Sequence, residues 1–146
     1  MVKMSSYDIA MQKIRDHPSD IDEVRTLLIS ASSEGDHRAT YALATWYLHG
    51  KNVQGDVGRA VELLKLASAG GNSDAMFDLA ICYEKGRGIS RNKRKAFNLF
   101  ASAAFLGEKQ AIYEVGRMLY YGIGTAEDRE LAELWLDRAE KEIPER

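Results

Sequence analysis

The chain has 146 residues, one domain's length, and its 45% apolar and 29% charged composition is enough to bury a core. A formal charge of −2 gives no overall pull toward nucleic acid or membrane, and two prolines leave no Pro-rich disordered tract. No apolar run is long enough to cross a bilayer, the first twenty residues lack the apolar segment of a secretory signal, and the single Cys82 cannot form an internal disulfide. The expectation is therefore a soluble chain, one compact body, in a reducing cytoplasm.

In chain order, residues about 4 to 15 read as a weak leading helix that ends before Pro18. Ser19 followed by Asp22 resembles a capping box that opens a second helix, in which Val24, Leu27, Leu28 and Ala31 share one face. From Gly35 onward the sequence falls into register with itself at a period of 36 residues. Five columns are identical in three copies: Gly35, Gly71 and Gly107; Ala39, Ala75 and Ala111; Gly50, Gly86 and Gly122; Ala60, Ala96 and Ala132; Ala67, Ala103 and Ala139. Each copy holds two helical periods, a helix A through 39, 43, 46 and 47 and a helix B through 60, 63, 64 and 67. Glycines at 50 and 35 suit the left-handed backbone that follows a helix C-terminus, and Asp56, Asn92 and Asp128 stand where a side-chain oxygen caps the start of helix B.

These columns predict an all-α architecture, an α-solenoid of three helix-pair repeats at 35–70, 71–106 and 107–142, because such a unit buries its apolar face only against neighbours. Residues 1–34 read as a degenerate repeat acting as an N-terminal cap, since Val24, Leu27, Leu28 and Ala31 fall on the helix B columns. The last helix B is densely charged, as suits a terminal unit facing water.

The second copy, with Ala75, Leu79, Tyr83, Gly86, Gly88, Ile89, Asn92, Lys95, Ala96, Leu99, Ala103 and Ala104, resembles the Sel-1-like repeat, a relative of the tetratricopeptide repeat. The resemblance covers about 35 to 142. It departs at Asn52, where a second turn glycine is usual, and at Leu119, Thr125 and Leu131, where Tyr, Val and Lys are usual. One branch of that family staples each repeat with a cysteine pair and is exported, and a chain with one cysteine does not resemble that branch. The resemblance implies a superhelix whose concave wall of A helices holds a protein or peptide without chemistry, as a scaffold or adaptor. It also implies, as a narrower version, a bacterial immunity protein that neutralises a toxin one-to-one.

On that wall the candidate partner-binding residues are Tyr41, Leu48, Phe77, Ile81, Glu84, Tyr113, Arg117, Tyr120 and Tyr121. Tyr41, Phe77 and Tyr113 form one aromatic column that reads either as a clamp on a partner or as packing between repeats. The columns of Leu48, Ile81, Tyr120 and Tyr121 are not kept apolar from copy to copy, which favours binding over packing. A basic edge of Arg87, Arg91, Lys93, Arg94 and Lys95 matches an acidic stretch in the third copy. Cations in a helix's first turn oppose its dipole, so the run is either a solvated turn or a surface for an acidic protein. Without interleaved aromatics to stack on bases it argues against nucleic acid.

Nothing in the sequence indicates catalysis, a metal or a cofactor. His17, His37 and His49 share no close spacing with one another or with Cys82, which sits in a helix A core column. An enzyme or enzyme subunit would need a polar constellation that is not found. A third reading is a homodimer through the last helix, where Leu134 and Ile143 are apolar while the matched Glu62 and Asn98 of earlier copies are polar.

Overall fold

A computed structural model describes residues 2–142. Eight α-helices and no strand occur among the described residues: α1 (Ser6–Asp16), α2 (Ile21–Ser33), α3 (His37–His49), α4 (Val57–Ala69), α5 (Ser73–Lys85), α6 (Lys93–Phe105), α7 (Lys109–Tyr121) and α8 (Arg129–Glu142). The chain is an all-α solenoid of helix-pair repeats, in which α3, α5 and α7 are the A helices and α4, α6 and α8 the B helices.

The A-to-B turn is built the same way three times. Gly50 and Gly122 follow their helices with φ of 64° and 67°, and Gly86 has φ of 70°. Two residues on, the backbone is left-handed again at Asn52 (φ 63°), Gly88 (70°) and Gly124 (69°), so the departure at Asn52 keeps the turn's geometry with a residue that tolerates it. The turn closes through a backbone hydrogen bond repeated at 36-residue spacing: Asp56 N to Tyr47 O at 2.9 Å, Asn92 N to Tyr83 O at 2.8 Å and Asp128 N to Leu119 O at 2.9 Å. Asp56, Asn92 and Asp128 then accept from the amides of Arg59, Lys95 and Leu131, each at 3.0 Å. Each such cap stabilises its helix by about 1 kcal/mol.

The first helix pair departs from expectation at its caps. Ser19 forms no capping box with Asp22; it lies within the turn between α1 and α2, closed by Asp20 N on His17 O at 3.0 Å, and α2 starts after Asp20 with no side-chain cap. The capping box belongs to Ser5 and Asp8 at the head of α1, where Asp8 N donates to Ser5 Oγ at 3.1 Å and Ser5 N donates to Asp8 Oδ2 at 3.4 Å.

The chain divides into two compact units, Met1–Asn72 and Ser73–Arg146. In the first, Ala10, Val24, Leu28, Ala31, Ala39, Leu43 and Trp46 form a buried cluster, with Leu27 packed against it. Arg38 ties α3 to α1: it pairs with Asp36 through Nε at 3.0 Å and Nη2 at 2.8 Å, approaches Asp8 at 3.7 Å and lies over the Tyr7 ring at 4.3 Å. The Arg38 hydrogen bond holds the Asp36 carboxyl below its ordinary value. In the second unit, Phe100, Met118, Val115, Ala96, Ala103, Ala111 and Ala132 are buried, and a β-carbon added at Gly116 would meet the Leu136 side chain at 2.8 Å, so α7 and α8 approach closely there.

Two of the three substitutions that set the third copy apart, Leu119 and Leu131, are paired. Arg59 lies over Tyr47 at 5.7 Å and Lys95 over Tyr83 at 5.5 Å, and the same two columns carry Leu119 and Leu131 in the third copy, where cation and ring are exchanged together for two leucines. No helix among the described residues is long and apolar enough to cross a membrane. Ile143, one of the two residues of the homodimer reading, lies outside the described residues.

Candidate functional site

The second unit brings most of the expected site residues onto α5 and α7. Phe77, Ile81 and Glu84 follow one another at i, i+4 and i+7 along α5, and Tyr113, Arg117, Tyr120 and Tyr121 at i, i+4, i+7 and i+8 along α7, so each set lies along one helical face. Arg117 joins the two faces. Its Nη2 donates to both Glu84 oxygens, at 2.8 and 2.9 Å, and its Nε donates to Glu114 Oε2 at 2.7 Å. The Arg117 and Glu84 side chains are only 26% and 20% exposed. Burial works against the Arg117 charge, but the hydrogen bonds to Glu114 and Glu84 outweigh it and hold the guanidinium above its usual pKa. The planar fork is therefore fixed from two sides.

Around this centre the aromatic residues separate. Tyr113 and Tyr121 are 48% and 66% exposed, whereas Tyr120 is half-buried, edge-on to Tyr121 at 5.0 Å and covered by Arg129 at 4.6 Å. Phe77 turns inward and meets Phe100 edge to face at 5.4 Å. Ile81 and Tyr120 are also packed against the core of this unit, so packing does use two positions whose columns are not kept apolar. Tyr41 and Leu48 lie on α3 of the first unit and are half-buried.

Of the basic edge, Arg87 and Arg91 occupy the turn between α5 and α6, and Lys93, Arg94 and Lys95 form the first turn of α6. All five are exposed, and Lys95 reaches the Tyr83 ring. Two contributors were not anticipated from sequence. Glu114 was signalled by its i, i+3 spacing to Arg117, whereas Arg129 reaches Tyr120 from the next helix with no local signal.

At the start of α7, Glu108 caps the helix by accepting from Gln110 N at 3.2 Å. Burial, a hydrogen bond shared with Asp74, and the charges of Asp74 and Asp78 raise its carboxyl pKa. A carboxyl raised on folding contributes stability that is fully present below its ordinary range and lost as pH rises through the raised value; Asp36, which is lowered, has the opposite dependence. Glu108→Gln, which keeps the capping oxygen, is expected to be no less stable than the native chain near neutral pH and to lose that downward slope. Thermal melts of both chains across a pH series measure the difference, and parallel profiles would contradict it.

Among the described residues no group of three or more His, Cys, Asp or Glu could hold a metal ion. Cys82 is buried, and desolvation pushes its thiol up despite the opposing charge of Arg87, away from the thiolate that a nucleophile requires.

Solved structures of several bacterial proteins share the fold. A Sel1 repeat protein from Oxalobacter formigenes matches with a TM-score of 0.79 at 23% identity, over 92% of this chain and 55% of its own length. The protective antigen c5321 of uropathogenic Escherichia coli strains, described as displaying an SLR fold, matches with a TM-score of 0.87 at 23% identity, over 93% of this chain and 30% of its own. Cysteine rich protein B of Helicobacter pylori matches with a TM-score of 0.66 at 18% identity, over 88% and 92%. The chain thus spans about half and about a third of the lengths of the first two. No curated protein matches. The profile of the Sel1 repeat matches residues 37–72, 73–107 and 109–142, in phase with the three A helices, and the chain belongs to the Sel1 repeat family.

Proposed function

We propose that this chain is a non-enzymatic interaction module that holds a protein or peptide partner on its A helices, with Tyr113, Arg117 and Tyr121 of α7 and Glu84 of α5 at the centre of the surface. Sel1 repeat proteins are in general protein-interaction modules, which supports the class. One observation carries the placement: two exposed tyrosines stand on the same helical face as an arginine already fixed by two carboxylates. Exposed tyrosine beside arginine is the composition of binding hot spots, and a guanidinium held in place loses little freedom when a partner docks. Tyr41 and Leu48 of α3 belong to the same reading, and the exposed cations from Arg87 to Lys95 would steer an acidic partner.

The test is selection of a displayed peptide library on the immobilised protein. The native chain is expected to enrich a shared sequence motif, and Tyr113→Ala combined with Tyr121→Ala to lose about 100-fold or more of the affinity for the enriched peptide while circular dichroism and melting stay near native. Enrichment of nothing by the native chain, or equal affinity for the double variant, would remove this surface as the binding site.

A further inference from the structure

A second surface, apart from the α5 and α7 face, lies along α8. A groove of about 360 Å³ is lined by Ala104 and Phe105 of α6, Ile112 of α7, and Leu134, Trp135 and Arg138 of α8. Its apolar rim is open: Phe105 is 81% exposed and set edge-on to Trp135 at 6.2 Å, and Leu134 is 68% exposed. Repeat packing does not claim this rim: Phe105 and Leu134 lie outside the buried core of the unit and the residues packed against it, and in other copies the column of Leu134 holds Glu62 and Asn98 and that of Phe105 holds Ala69.

The charges around Leu134 indicate what covers it. Glu130 stands four residues before it and Arg138 four after; Glu127, just ahead of the helix, stands seven before and Lys141 seven after. These four place two acids before Leu134 and two bases at matching distances after it, while Asp137, on the same face, is already paired with Lys141 at 2.9 Å within the protomer. We infer that the occupant is a second copy of this chain, its α8 packed antiparallel across a two-fold axis at Leu134. Reversing the helix direction sets the two Leu134 side chains level with each other, Glu130 level with the partner's Arg138, and Glu127 level with the partner's Lys141, with the Phe105 and Trp135 shelf flanking the apolar centre.

A parallel copy would oppose like charges instead. The pairs these groups make within the protomer, Arg138 with Glu142 at 3.4 Å, Lys141 with Asp137 at 2.9 Å and Arg129 with Glu127 at 2.8 Å, are exposed and cost little to exchange. Glu130 has no ion pair among the described residues.

The measurement is sedimentation equilibrium of the full chain from micromolar to submillimolar concentration, with circular dichroism to confirm folding. The native protein is expected to approach twice the monomer mass and Leu134→Lys to remain monomeric. Glu130→Arg alone and Arg138→Glu alone each face like charges twice across the axis and are expected to weaken the dimer by about tenfold. The Glu130→Arg, Arg138→Glu exchange is expected to restore it. A native chain that stays monomeric throughout, leaving the groove to some other partner, would overturn the inference. So would a dimer that survives Leu134→Lys, or one that the exchange fails to restore.

Discussion

Replacing Gly124 by asparagine is expected to lower the melting temperature by about 5–10 °C, while Asn52→Gly shifts it by about 2 °C or less. The two positions are equivalent in the repeat and share the left-handed backbone, with φ of 69° and 63°. Asn52 shows that asparagine bears this conformation, so conformation alone does not make Gly124 special. The difference lies in what stands opposite. A β-carbon on Gly124 would run into the carbonyl of Lys93 and come within 3.1 Å of Arg94 N, and both obstacles are backbone in the first turn of α6. Backbone held by the Asn92 cap cannot swing aside as a side-chain tip can, so the turn between α7 and α8 or the start of α6 must shift, at a cost of about 2–3 kcal/mol. That backbone belongs to Lys93 and Arg94, two residues of the basic edge. Thermal melts decide the matter, and equal shifts for the two substitutions would mean that the turn yields freely.

What could be read before any coordinates follows from how local its cause is. The glycines at 50, 86 and 122 and the caps at 56, 92 and 128 answer to backbone needs within a few residues, and three copies expose them as columns. The Ser19 and Asp22 pattern misled because a capping box is a pattern of residue types, whereas the cap depends on where the chain leaves the preceding turn; there the Asp20 to His17 bond draws Ser19 into the turn. The salt bridge of Arg117 with Glu84 joins residues 33 positions apart. No column reports it, because the equivalent residues in the other copies do not carry matched charges. The paired leucines at 119 and 131 were visible as departures, but their coupling became legible only when Tyr47 and Tyr83 were found beneath Arg59 and Lys95. Long-range pairing of side chains is the level at which a repeat sequence becomes silent, and the proposed binding face is built at that level.

The aromatic column tests this most directly, because one column meets two environments in the same unit. Phe100→Ala is expected to destabilise by about 3–5 kcal/mol, since the ring is fully buried in the core of the second unit and its removal leaves a cavity walled by the neighbouring helices. Phe77→Ala, which removes the edge-on partner of Phe100 from a half-buried site, is expected to cost about 1–3 kcal/mol. Tyr113→Ala, the same column one repeat on, is expected to change stability by no more than about 0.5 kcal/mol, because nearly half of that residue already faces water. Urea unfolding of the three variants gives these values side by side. The order Phe100, Phe77, Tyr113 would show that the column serves packing at one repeat and is free for recognition at the next. A Tyr113→Ala cost as large as that of Phe77→Ala would instead bind Tyr113 to the core and leave Arg117 and Tyr121 as the exposed elements of the binding face.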